Sequence, residues 1–174
     1  MKKLLILIAC LCFATNIFAQ YPTKLNDHAT IDFSGTVDIK KDDGRTYFFA
    51  PLDDEGKRVE VAHVLSLKKL YADTTFFKDK YNNSMISALL LHNLPNKMEG
   101  MKLISRKKIV SPVFHGVDLT YKVEGKSVDL PYNYLFLRGV LDGHELYYLY
   151  VFLFDTNTES IKIKNHFMNS LKLN

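Results

Sequence analysis

Apolar and polar positions alternate with period two along much of this chain. The clearest case follows His115-Gly116: Val117, Leu119, Tyr121 and Val123 point one way, and Asp118, Thr120, Lys122 and Glu124 the other. That period predicts a strand with one buried face. Thr30-Ile31-Asp32-Phe33 alternates and stops at Ser34-Gly35, while Val37-Asp38-Ile39-Lys40 runs into the turn Asp42-Asp43-Gly44, so both predict hairpin strands. Residues 45–51 are aromatic and extended. Residues 58–68 hold a strand whose alternation slips at Ala62-His63, which leaves a short helix after Val61 open. The polar residues 21–29 read as a fraying lead-in.

The period changes to that of a helix in two places. After Thr74 or Thr75 as N-cap, Phe77, Tyr81, Met85 and Leu89 recur every four residues beside Ala88, until Pro95 stops the run. Thr156 and Glu159 make a capping box for a closing helix, with Ile161, Ile163, Phe167, Met168 and Leu171 on its inner side. Residues 103–110 predict a charge-bearing strand, and residues 131–139 lead through Asp142-Gly143 into residues 146–154. That last strand is apolar or aromatic at every position and should lie centrally, covered on each side. Hairpins interrupted by two helices argue an α+β fold with one mainly antiparallel sheet. With a helix expected on each side of it, the prediction is a three-layer α/β/α sandwich.

The N-terminus changes the picture of where this domain works. Lys2 and Lys3, an apolar run over residues 4–14 and the small Ala19 before Gln20 read as a secretory signal over residues 1–19. A run of roughly 11 residues is short against the ~20 of a bilayer-crossing helix, so export with removal is expected and the mature chain should carry no transmembrane span. A rival reading takes Leu7-Ile8-Ala9-Cys10 as a lipoprotein box with Cys10 lipidated. Cys10 and Cys12 are the only cysteines, so the chain cut at Ala19 has no disulfide and no thiol nucleophile. The remaining residues, 20–174, form one domain of about 155 residues, long enough to build a core by burial alone.

Loss of Lys2 and Lys3 brings the formal charge from +4 to +2. Lys40-Lys41, Lys57-Arg58, Lys68-Lys69 and Arg106-Lys107-Lys108 are short clusters rather than a basic stripe, so no nucleic-acid partner is expected.

Ile31-Asp32-Phe33-Ser34-Gly35, then His115-Gly116-Val117-Asp118-Leu119-Thr120-Tyr121, the hairpin residues 134–149 and the closing Phe167-Met168-Asn169-Ser170-Leu171-Lys172-Leu173 together resemble the PsbP/Mog1-like α/β/α sandwich family, in a divergent bacterial exported branch. Ser34 stands where that family usually has Pro, and residues 37–49 have no counterpart in it. The resemblance implies a scaffold for protein contacts and accessory roles without a common catalytic apparatus. Fold likeness licenses no particular activity.

No catalytic, cofactor-binding or metal-ligating residue is assigned. His28, His63, His92, His115, His144 and His166 are scattered, without the i, i+4 spacing of a zinc helix; His115 and His144, each flanking a Gly turn, are the pair that neighbouring strands could bring together. Asp42, Asp43, Asp53, Asp54 and Glu55 cluster beside Gly44 and Gly56 and read as solvated turn acids. There is no Gly-x-Ser-x-Gly elbow and no nucleotide-binding Gly loop.

The expected function is therefore an exported, non-enzymatic binding or accessory module acting on a protein partner, periplasmic or extracellular. The alternative is a small-ligand or glycan-binding protein using the tyrosine-rich hairpin, with Tyr132, Tyr134, Phe136, Tyr147, Tyr148, Tyr150, Phe152 and Phe154. A hydrolase of unrecognised type is a third, weaker reading.

Overall fold

The structure, a computed structural model, describes residues 21–42, 45–51, 58–67, 94, 97–98, 100–111, 114–124 and 132–174. In chain order its elements are β1 (Tyr21–Lys24), β2 (Ala29–Phe33), β3 (Asp38–Asp42), β4 (Arg45–Pro51), β5 (Arg58–Ser66), β6 (Lys97–Met98), β7 (Met101–Val110), β8 (His115–Val123), β9 (Tyr134–Asp142), β10 (Glu145–Leu153), α1 (Thr158–Asn169) and β11 (Lys172–Leu173). Eight strands make one antiparallel sheet in the order β3-β4-β5-β10-β9-β8-β7-β6, and a small second sheet has the order β1-β2-β11.

The unbroken apolar run lies where its composition requires. β10 pairs with β5 on one side and β9 on the other. Its Tyr147, Leu149, Val151 and Leu153 face α1 and β2, packing with Ile31, Phe33, Phe167 and Met168. The Phe33 and Phe167 rings meet at 5.1 Å. On the opposite face, Tyr148, Tyr150 and Phe152 pack beside a core of Met101, Val117, Leu119, Tyr121, Leu135 and Leu137. The alternation of β8 is the one the sequence predicts, with Val117, Leu119 and Tyr121 buried.

The three-layer α/β/α sandwich is not what these residues build. Among the described residues there are two antiparallel sheets and one helix, a β-rich fold. The physical reason lies in the covering layer. α1 is 12 residues long and fully buries only Phe167 and Met168, too little to cover an eight-stranded sheet. Beside it, Leu25 and the small sheet's Ala29, Ile31 and Phe33 pack into the same core. Residues 21–24 thus form a strand paired with β2 rather than a fraying lead-in, and the chain continues past α1 into β11 on the other edge of β2. The helix predicted from Phe77 to Leu89 lies outside the described residues, as do the turn acids Asp43, Asp53, Asp54 and Glu55.

Two local readings also change. β5 runs unbroken through Ala62-His63, because Ala62 is buried on the α1 face and His63 on the opposite face; two adjacent buried residues break the alternation without breaking the strand. The N-cap of α1 is Asn157, whose Oδ1 accepts from the Ser160 N–H at 2.9 Å, one residue beyond the predicted Thr156. Asp155 fixes that cap by accepting from the Asn157 N–H at 3.1 Å and the Ser160 hydroxyl at 2.8 Å. The predicted Asp142-Gly143 turn does close the β9–β10 hairpin, with Gly143 at φ 56°.

Candidate functional site

A groove opens on the α1 face, over β7, β8 and β9 and beside the helix. It encloses about 140 Å³, lined in its polar part by Ser105, Lys107, Asp118, Thr120 and Lys164, with Phe136 contributing apolar surface. Register explains how these side chains meet. Asp118 pairs across from Arg138 and from Lys107, and Thr120 from Phe136 and Ser105, so all six side chains project from one face.

A bulge makes that possible. The pairing of β7 with β8 passes from Leu103↔Tyr121 directly to Ser105↔Thr120, which leaves Ile104 unpaired and 53% exposed. One extra residue inverts the parity of the strand. Met101 and Leu103 therefore pack with the core of the far face, while Ser105 and Lys107 turn into the groove.

The acid and the strongest base of the groove neutralise each other. Arg138 donates through Nε to Asp118 Oδ1 at 2.7 Å and through Nη2 to Oδ2 at 2.9 Å, a two-pronged ion pair. Its Nη1 donates to the Met168 carbonyl at 2.6 Å and to Asn169 Oδ1 at 3.1 Å. Arg138 thus ties the last turn of α1 to the sheet and satisfies a carbonyl at the negative end of the helix. It is a structural clamp.

Two ammonium groups remain. Lys164 Nζ lies 4.8 Å from the centre of the Phe136 ring, a cation–π contact. Burial pulls its pKa below that of an ordinary lysine; the charges of Arg138 and Lys107 push the same way, and Asp118 opposes them. Among the described residues, neither Lys107 nor Lys164 has a carboxylate within 4.0 Å. This arrangement can hold an anionic group.

Two further titratable groups are buried on β5. Glu60 is fully buried and accepts from the Ser34 N–H at 3.0 Å and the Ser34 hydroxyl at 3.1 Å, which links the end of β2 to the main sheet. Burial raises its carboxyl to about 7 against the opposing Ser34 bonds and the Arg58 charge. His63, on the other face, stacks on Tyr47 at 4.4 Å and meets Tyr148 at 5.6 Å. Its buried Nε2 has no hydrogen-bond partner among the described residues, and burial, aided by the Arg45 charge, lowers the imidazole to about 4.

The described histidines do not line the groove. His28 and His166 are exposed, and His144 approaches Glu145 at 3.4 Å. His115 pairs across from Leu141 on β9, while His144 occupies the following turn; His92 lies outside the described residues. Among the described residues no three His, Cys, Asp or Glu side chains gather as a metal site. The aromatic hairpin divides by parity. Tyr134 and Phe136 lie on the α1 face, Tyr148, Tyr150 and Phe152 on the other, and Tyr147 is buried with its hydroxyl accepting from Asn26 Nδ2 at 2.8 Å. The sequence pattern marks Lys107 only as part of the short basic cluster Arg106-Lys107-Lys108, and does not mark Arg138 or Lys164. The usable signal was Leu103-Ile104, two adjacent apolar residues where strict alternation fails.

With this architecture in view, the solution structure of cyanobacterial PsbP (CyanoP) from Synechocystis sp. PCC 6803 is similar, with a TM-score of 0.58 at 9% identity over 92% of this chain and 95% of that one. The fold is PsbP-like. At that identity the likeness is one of fold alone. Two Pseudomonas aeruginosa structures are more distant. The immunity protein TplEi of T6SS has a TM-score of 0.42 at 8% identity, over 85% of this chain and 50% of that one. A protein of unknown function has 0.37 at 16%, over 84% and 89%. No family profile and no curated protein matches the chain.

Proposed function

We propose that this PsbP-like protein is an exported, non-enzymatic binding module that engages a protein partner through the groove between β7–β9 and α1. One observation carries the reading: Lys107 and Lys164 open onto a single recess without an acidic partner among the described residues, while the recess's own acid, Asp118, is engaged by Arg138. Unpaired charge held beside an aromatic ring is suited to recognition. Export rests on the leader-like residues 1–19. No helix among the described residues is long and apolar enough to cross a membrane.

The test compares partners recovered from an envelope fraction by the tagged protein and by Lys107→Glu/Lys164→Glu. A defined partner retained by the first and lost by the second, with unchanged thermal unfolding, is the expected result. Equal recovery by both, or recovery of none, contradicts the proposal.

A second reading, a small-ligand or glycan site on the tyrosine-rich hairpin, is favoured by the unpartnered His63 Nε2 beside the half-buried Tyr148 and Tyr150. Thermal-shift screening against glycans and lipids tests it. Stabilisation abolished by Tyr150→Ala supports it, and no stabilisation across the panel removes it.

A further inference from the structure

Resting on the reading of the groove as a partner site, we infer that its ligand group is a carboxylate on a short apolar stem, as a glutamate or aspartate side chain of an acidic peptide segment supplies. Size decides first. A recess of about 140 Å³ is well below the roughly 300–1,000 Å³ of sites that enclose a whole small molecule, yet holds the space of several waters at about 30 Å³ each. It therefore fits one inserted side chain of a larger partner.

Charge decides next. Two ammonium groups line the recess, and the charge of Lys107, after burial and Arg138, adds to the lowering of the Lys164 pKa. An anion placed between them relieves that repulsion. Asp118, though paired with Arg138, lines the same recess with its side chain 39% exposed, so its carboxylate bears more heavily on a dianion such as phosphate than on a single carboxylate charge. The Ser105 and Thr120 hydroxyls can donate to the remaining carboxylate lone pairs. The Phe136 ring beneath Lys164 offers the contact that an apolar stem needs.

Calorimetric titration of the full mature protein tests this with four probes: a capped glutamate-rich peptide, its glutamine counterpart, free glutarate and inorganic phosphate. The glutamate peptide is expected to bind at least tenfold more tightly than the glutamine peptide or phosphate, and to weaken as salt rises. Lys107→Gln/Lys164→Gln should weaken it at least tenfold, whereas Lys40→Gln/Lys41→Gln on the exposed β3 should leave it unchanged. Glutarate binding as tightly as the peptide, with the same lysine dependence, supports the carboxylate and assigns it to a free acid. Equal binding of the glutamine peptide, tighter binding of phosphate, or indifference to the groove lysines overturns the inference. If the glutamate peptide fails while the envelope partner is still recovered in a Lys107- and Lys164-dependent way, the carboxylate falls and the partner-binding reading stands. Failure of both removes both.

Discussion

At the scale of single residues, the molecule keeps its charges in two different conditions. Arg138 is saturated by Asp118 and by the end of α1, so it acts as a tether. Arg138→Gln should lower stability by roughly 2 kcal/mol, because it strips charge-assisted bonds and leaves Asp118 and the Met168 carbonyl without their donor. Chemical denaturation measures this, and a loss under about 0.5 kcal/mol would show that the clamp is idle. Glu60 is the opposite condition, a carboxyl whose folded pKa of about 7 lies above its ordinary 4.5. The folded state holds this proton more tightly than the unfolded chain does. Its contribution to stability is therefore complete below pH 4.5, declines as pH rises toward 7, and stays lost above. Glu60→Gln keeps acceptor capacity for Ser34 without the charge, so its advantage over the parent should grow across that window to about 3 kcal/mol at most. Denaturation at pH 5 and pH 8 decides it, and a gap equal at the two pH values would contradict the burial argument. His63 works in the other direction: with its pKa depressed to about 4, it costs stability as pH falls from 6.5 toward 4. None of these roles was legible from letters. Glu60 occupies an inward position of an alternating strand, Val59-Glu60-Val61, where a polar residue normally marks the solvent side.

Strands and helices tell how much a pattern can carry. The period-two segments were legible as strands, and the continuous apolar stretch as a central one, because both signals arise from burial across the pleat itself. What was not legible is the pairing that decides which face each residue joins. The bulge at Ile104 is the main instance, since the extra residue shifts the parity by which the face of Lys107 would be counted from Met101 and Leu103. Deleting Ile104 should leave the pairings on both sides intact, with stability changed by no more than about 1 kcal/mol and the acidic peptide still bound. Denaturation and titration of the deletion variant check this, and loss of the groove's binding would show that the bulge's bend shapes the site. The cap of α1 slipped by one residue in the sequence reading because Thr156 and Asn157 are both competent caps, and Asp155 selects the second. Asn157→Ala should cost about 1 kcal/mol by thermal or chemical unfolding, and Thr156→Ala much less.

For the whole molecule, the short helix and the small sheet act as one covering layer. The three-layer α/β/α expectation failed because it had no place for a second sheet: a polar-looking start, Tyr21-Pro22-Thr23-Lys24, was judged by composition, whereas its strand is held by pairing with β2. Among the described residues that layer ends at the groove, where Lys164 of α1 stands beside Ser105, Lys107, Asp118 and Thr120 of β7 and β8. Recognition is expected at this margin. A photo-crosslinking residue at Ser105, in the groove, and another at Ile39, exposed on the far edge strand, test it most directly in the native envelope. One defined adduct is expected from position 105, suppressed by excess glutamate-rich peptide, and none from position 39. Adducts of equal yield from both positions, or from position 39 alone, would contradict it.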